Sequence, residues 1–330
     1  MTRSRRPFMR TASHALVAAA ALAAAGVASA QAWPSRTVRI VVPAGPGGSS
    51  DPLARLVAEE LGRAFGQNFV VENRPGANGN IGAQSVAKAA PDGHTLLFGW
   101  TGTLVSAVTM YDAKPFHPER DFEPIVLIGS IPNIVLVNTA LPVKTFKELL
   151  AFARANPGKL NFGSTGSGSS WHLSGELIKK SEGVFMVHVP YTAPSPALTD
   201  LMSDQLQLAM PGVPAAVPFV RDGRLRALAV MAERRSEALP DVPTTKELGY
   251  PRLESATWMS LLAPKGTPPE IVAKLNAAVN ASLKTPAVRE RLLSMGYTPM
   301  GGTPEDFTRY MRAEIVKWGE VVKFSGAKVD

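Results

Sequence analysis

Short apolar runs alternate with amphipathic stretches from residue 37 onward. Residues 37–42 (TVRIVV), 69–71, 95–98, 125–128, 134–137, 160–162, 186–189, 206–210 and 225–230 are short and rich in β-branched or other apolar residues, a pattern that predicts strands. Helical spacing fills the gaps. Leu53, Leu56, Val57 and Leu61 share one helical face behind Asp51 as N-cap and Pro52 at the first helical position. Further helices are predicted over 81–89, 171–180, 196–202 and 214–221. A capping box at Thr145–Glu148 starts another, which Asn156-Pro157-Gly158 stops. The last third is mostly helical, with start signals at Thr267–Glu270, Thr285-Pro286 and Thr303-Pro304-Glu305, and with Gly296 and Gly326 placed as helix ends. Alternating strands and helices imply parallel sheets covered by helices. About 300 residues suggest two such sheets, an α/β chain of two domains. Ligands in such sheets sit at the carboxyl ends of the strands.

Residues 1–30 follow a different pattern. Arg3, Arg5, Arg6 and Arg10 precede the uncharged, alanine-rich stretch 15–27, and Ala28-Ser29-Ala30 forms a small-residue cleavage site before Gln31. The uncharged run falls short of the ~20 residues that span a bilayer, so a cleaved export signal is expected, not an anchor. Ser4-Arg5-Arg6-Pro7-Phe8 also resembles the twin-arginine motif, which leaves that route and the general secretory route both open. Removing this segment changes the charge picture. The full chain carries 35 basic and 27 acidic residues, and the 31 basic residues left after residue 30 give only +4. No run of more than two basic residues follows, so the clustered basic face of a nucleic-acid binder is missing. There is no cysteine, which excludes disulfides, thiolate metal sites and cysteine nucleophiles.

The familiar catalytic motifs are also missing. Gly163–Gly168 has Thr165 where a G-x-S-x-G elbow needs serine, and Gly45-Pro46-Gly47 has Ser50 where a dinucleotide loop needs its last glycine. His94, His117, His172 and His188 include no pair at helical ligand spacing, so no metal and no cofactor is expected. What remains is a set of neutral donor loops after predicted strands: 43–51 (PAGPGGSSD), 99–103 (GWTGT) and 163–170 (GSTGSGSS). Glycine lets backbone N–H groups approach a ligand, a helix N-terminus adds unpaired N–H groups, and hydroxyls supply further donors. Together they favour an anion without needing Arg or Lys. His172 could face this cleft as a donor or cap its helix. Trp171 and Trp258 could wall a pocket or lie in the core, and Tyr191 could offer its hydroxyl to a ligand.

Motifs along the whole chain after residue 30 carry a family resemblance. Trp33-Pro34-Ser35, VPAGPGGSSDPLA at 42–54, VENRPGANGNIG at 71–82, AKAAPDGHTLL at 87–97, GSTGSGSSWHL at 163–173 and HVPYTAPSPALTDL at 188–201 are joined by GRLRALAV at 223–230, ALPDVP at 238–243, LLAPKGT at 261–267 and SGAKVD at 325–330. These resemble the periplasmic substrate-binding proteins of tripartite tricarboxylate transporters, the Bordetella-uptake-gene type. The resemblance implies a two-domain periplasmic-binding-protein (flytrap, type II-like) fold whose cleft closes on a small carboxylate held by backbone amides, hydroxyls and water. It implies a periplasmic location, non-enzymatic capture, and delivery to the membrane components of a transporter. A two-component histidine kinase is an alternative partner, and an exported hydrolase with an atypical site is the other alternative. The implied domains are 31–130 with 227–330, and 131–226, the chain crossing near Ser130 and returning near 225–230 or as late as Trp258. Carried over residue by residue, the first-domain loop maps to Ala44, Gly47, Gly48 and Ser50 and the second-domain loop to Ser164, Thr165, Ser167, Ser169 and His172; Thr101, Gly102 and Thr103 of the second donor loop, with Tyr191 and Trp258, complete the expected ligand-binding set. Trp100, Leu104 and Thr192 depart from the family pattern, and Met210-Pro211-Gly212 lacks its frequent acid. The missing acid and the added Trp100 favour a non-amino carboxylate, aromatic or apolar.

Overall fold

The computed structural model describes residues 33–46, 50–110 and 116–326. The export segment, Gly47, Gly48 and the end of the 325–330 motif lie outside them. Two sheets share the chain. The first uses β1 (Val38–Val42), β2 (Phe69–Asn73), β3 (Thr95–Trp100), β4 (Phe122–Pro132), then β10 (Ala256–Pro264) and β11 (Thr298–Pro299), in the order β11-β4-β10-β3-β1-β2. The second uses β5 (Ile134–Asn138), β6 (Asn161–Ser164), β7 (Val187–Pro190), β8 (Leu208–Ala209) and β9 (Leu225–Val230), in the order β7-β6-β8-β5-β9. We call them the first and second lobes.

The expectation of parallel sheets needs correction: both are mixed. β1 runs parallel to β2 and β3, and β6 parallel to β7 and β8, as helical crossovers require. β10 runs antiparallel to β3 and β4, and β5 antiparallel to β8 and β9. The antiparallel members include the segments that carry the chain between lobes. β4 passes into β5 through Asn133 alone, and the return runs from β9 through 231–255 into β10. A strand that crosses to another sheet has no crossover helix to dictate its direction. The expected return at residue 227 falls within β9, which stays paired with β5 as far as Val230.

Helices cover the sheets. α1 (Ser50–Phe65) buries Leu53, Leu56, Val57 and Leu61 on the first sheet, each worth ~1.5–3 kcal/mol when fully removed from water. Asp51 lies inside α1 rather than capping it, and its carboxylate accepts from Arg55 at 3.0 and 3.2 Å. α2 (Asn80–Ala87) follows β2; α3 (Phe146–Ala155), α4 (Ser170–Glu182), α5 (Pro194–Met202) and α6 (Val213–Arg221) belong to the second lobe. α7 (Pro269–Lys284), α8 (Pro286–Ser294) and α9 (Pro304–Ser325) complete the chain. Thr303 forms a full capping box with Asp306. Thr267 and Thr285 do not cap: their hydroxyls donate backward to the Pro264 and Ser282 carbonyls. Thr267 lies one residue before the N-cap position, which Pro268 occupies.

α9 lies in the first lobe's sequence yet packs on α4 of the second, where Lys180 Nζ donates to Glu320 Oε2 at 2.7 Å. No helix among the described residues is long and apolar enough to cross a membrane.

Candidate functional site

The first lobe's part of the site is built by close backbone approach. β1 and β3 are parallel neighbours, so the loops after them emerge at the same sheet edge. Gly79 (φ +90°) sits between them: a Cβ there would lie 2.5 Å from Thr103 Oγ1 and 3.0 Å from the Pro43 carbonyl oxygen. At Gly82 a Cβ would come within 2.7 Å of both the Arg74 carbonyl oxygen and Pro43 Cβ. Glycine is therefore required at both for the start of α2 to reach the ends of β1 and β3. Ala44 is half-buried, and its carbonyl accepts from Asn73 Nδ2 at 3.2 Å, which fixes the loop to the end of β2. Ser50 is buried at the start of α1. Thr101 and Thr103 are buried, and Gly102 opens a wide helical turn, Gly102–Ser106, beside the Trp100 indole. Thr101 Oγ1 accepts from the Trp258 N–H at 3.0 Å.

In the second lobe, side chains hold the loop. Ser164 Oγ accepts from the Gly166 N–H at 3.1 Å and shares a 2.6 Å hydrogen bond with His188 Nε2. Ser169 caps α4, accepting from the His172 N–H at 3.3 Å. His172 Nδ1 accepts from the Gly168 N–H at 3.1 Å, which leaves the imidazole neutral with its proton on Nε2. Burial is the main cause that pushes His172 down to about 3 and His188 down to about 4, with the nearby Lys179 charge adding to both. The two rings lie 4.0 Å apart, centroid to centroid, and His188 stacks on Phe162 at 5.0 Å. Thr165 and Ser169 are half-buried at the loop surface, and Ser167 is exposed.

The loops of the two lobes converge through β10. Trp258 donates its backbone N–H to Thr101 of the first lobe. Its neighbour Thr257 donates its hydroxyl to Ser170 Oγ, the first residue of α4, at 2.8 Å. A run of contacts thus links Pro43 and Gly79 through Thr103 and Thr101 to Thr257 and Ser170. Its donors are backbone N–H groups, hydroxyls and the N-terminus of a 13-residue helix.

Of the expected ligand groups, Thr101, Thr103 and Ser164 are buried, and three more are engaged within the protein. Trp258 is fully buried, its indole N–H donating to Glu314 Oε2 at 3.1 Å, because β10 turns that face toward α9. His172 lies beneath the loop and does not face the cleft. The Tyr191 hydroxyl donates to Asp200 Oδ2 at 2.6 Å, and burial with that bond raises the phenol to about 12. Ser170 ends the 163–170 donor loop but was not in the expected ligand set, and Thr257 and Asn80 were not singled out from the sequence. Asn80 begins α2, is 4% exposed, and neither its Oδ1 nor its Nδ2 has a partner. A buried amide in that state costs free energy until a ligand or water pairs with it. An asparagine after Ala77-Asn78-Gly79 reads as turn chemistry, which hid it.

Ser164 and His188 make a serine–histidine pair, but Ser164 has no exposed surface, and among the described residues no carboxylate bonds to His188. A nucleophile needs access to its substrate and an oriented base. No group of three His, Asp or Glu side chains that could hold a metal occurs among the described residues.

Comparisons with known proteins agree with this architecture. Residues 53–326 match the family model described as tripartite tricarboxylate transporter family receptor. Protein BugT of Bordetella pertussis is 36% identical over 312 residues, which cover 93% of this chain and 96% of BugT. The structure titled "R. palustris Rpa4515 with adipate" superposes with a TM-score of 0.77 at 40% identity, covering 90% of this chain and all of that one. MatC from Rhodopseudomonas palustris with bound malate gives a TM-score of 0.73 at 36% identity, covering 88% of this chain and all of MatC.

Proposed function

The chain belongs to the tripartite tricarboxylate transporter receptor family, and from that premise we propose that it captures a small organic carboxylate outside the cytoplasm. It delivers this ligand to the membrane components of a transporter. The observation that carries the ligand class is the convergence of neutral donor groups from both lobes on one cleft floor. Backbone N–H groups and hydroxyls beside the N-terminus of α4 suit a carboxylate. The two related structures titled with adipate and malate support the same class.

No acidic side chain follows β8 at Met210-Pro211-Gly212 to receive a ligand ammonium, so a non-amino dicarboxylate is the preferred ligand. Capture is non-enzymatic: the ligand is bound and released unchanged. The chain is exported through residues 1–30 and works in the periplasm, and the exported protein begins at Gln31.

A thermal-shift panel tests this reading. It holds adipate, malate, citrate, glutamate, benzoate and nicotinate against protein purified from expressing cells. A ligand at 100 times its dissociation constant stabilises the fold by ~2.7 kcal/mol. Stabilisation by dicarboxylates, with none from glutamate, supports the reading. Steady turnover of an ester or amide by the pure protein, with no saturable shift from any carboxylate, overturns it.

A further inference from the structure

Asn133 is the single residue between β4 and β5, at the outward crossing. Its backbone already ties the two crossings together. The Asn133 N–H donates to the Ser255 carbonyl at 2.9 Å, and its carbonyl accepts from the Met231 N–H at 2.8 Å. Met231 and Ser255 bracket the return segment.

The side chain adds a third element. Asn133 Nδ2 lies 2.7 Å from Ser174 Oγ, 3.2 Å from the Ser170 carbonyl oxygen and 3.2 Å from Ser255 Oγ. Ser174 Oγ is in turn 2.6 Å from the Ser170 carbonyl oxygen and 2.8 Å from Ser255 Oγ. Asn133, Ser174 and Ser255 are all fully buried. The network therefore joins the outward crossing, the return crossing and the first turn of α4, whose N-terminus carries the second lobe's donor loop.

Its bonding is unbalanced. An amide nitrogen has two hydrogens, and three acceptors surround this one. Asn133 Oδ1, at the other end of the same amide, is buried without any donor. Nδ2 can serve Ser174 with Ser170, which holds α4, or Ser174 with Ser255, which holds the return crossing. Two arrangements of one buried amide provide a discrete element that two regions can bias. Buried polar networks resist partial rupture, so bending at the crossings and movement of the α4 first turn occur together.

We propose that Asn133 is a positioning residue that couples bending at the two crossings to the orientation of the ligand-binding turn at Ser169 and Ser170. Engagement of a carboxylate at that turn then favours one hinge arrangement. The hinge arrangement in turn holds the donors of both lobes on the ligand. The ligand half of this inference rests on the carboxylate-receptor reading; the hinge half does not.

The absence of cysteine makes the test direct. Lys88→Cys on the first lobe and Ser195→Cys on the second are both exposed positions that take spin labels, and the inter-lobe distance distribution is then measured. Without ligand, Asn133→Leu is expected to broaden that distribution by severing the hinge from α4. With adipate, the parent protein narrows to a shorter distance, whereas Asn133→Leu stays broad. Adipate then dissociates at least tenfold faster with little change in association rate. Ser255→Ala removes one hydroxyl, retains the Asn133 contacts to α4, and is expected to give about a threefold faster dissociation, which keeps the test open if Asn133→Leu fails to fold.

A merely structural role would lower the urea midpoint and leave both distance distributions as in the parent; that result overturns the proposal. If adipate narrows nothing even in the parent, the carboxylate reading fails for this ligand, while the ligand-free distributions still decide whether Asn133 couples hinge and turn.

Discussion

The two sides of the cleft keep their shape by different means. In the second lobe the loop between β6 and α4 is held by its own side chains: Ser164 on Gly166 and His188, Ser169 on the His172 N–H, and His172 on the Gly168 N–H. In the first lobe the start of α2 is held by fit, with Gly79 and Gly82 admitting the backbone of 43 and 74, and it leaves the Asn80 amide unpaired. The comparison teaches a division of labour. The second-lobe loop is held by its own side chains before any ligand arrives, whereas the first lobe retains a buried polar group that a ligand or its bridging water can satisfy. In the receptor proposed above, preorganisation on one side and unmet demand on the other would provide affinity and a reason to close.

The strongest way to break this comparison is to fill the space that the first lobe depends on. Gly82→Val would drive a branched side chain into the Arg74 carbonyl and Pro43, and is expected to destabilise the fold by ~3 kcal/mol, the upper end for overpacking. Urea unfolding reads the loss, and carboxylate binding should vanish with it. His172→Ala probes the other side. It leaves the Gly168 N–H without its acceptor and opens a cavity, at an expected cost of ~2 kcal/mol and a clear loss of affinity measured by calorimetry.

Acid sharpens the same point. His172 and His188 are held near 3 and 4, below the ordinary histidine value of 6.5, so between these limits the unfolded chain binds more protons than the native one. Stability is therefore full above about pH 6.5 and falls as pH drops toward 4, by up to about 1.4 kcal/mol per unit for each histidine. Glu176, raised by burial, opposes this as it protonates, and Lys179 Nζ donates to it at 2.7 Å. Thermal melts from pH 7.5 to 4.5 should show the decline, and His188→Asn should flatten it.

The smallest effect has the most telling sign. Asn80→Ala removes an unpaired amide, so the ligand-free protein should gain about 1 kcal/mol in urea unfolding. Carboxylate affinity should nevertheless fall about tenfold, a loss of ~1.4 kcal/mol. Lower stability together with unchanged affinity would remove Asn80 from the site.

Much of this molecule could be read from its residues. The β-branched run at β1 and the apolar run at β9 announce strands, and the Leu53–Leu61 spacing announces α1. β10 did not declare itself, because ATWMSLLAP is mostly apolar, its Thr257 and Ser260 do not alternate, and periodicity alone does not distinguish a buried strand from a buried helix. Capping followed local chemistry at Thr303 and failed at Thr267, where Pro268 takes the N-cap position and the threonine hydroxyl donates to the Pro264 carbonyl. The donor loops were legible as glycine and serine runs after strands. Which hydroxyl faces outward was not: Ser164 and Thr101 turn inward to hold the loops, and only the packed chain reveals it. Asn80 and Asn133 were hidden for a related reason. Their significance lies in partners absent or crowded around a buried amide, and those are supplied by residues distant in sequence.

The division between the two sides is tested most directly by hydrogen exchange on the same protein with and without saturating dicarboxylate. The account predicts that the amides of 164–169 exchange slowly in both states, because side chains already hold that loop. The amides of 76–82 should become slow only when ligand is bound. Equal ligand-induced protection of both segments, or protection of 164–169 alone, would contradict it.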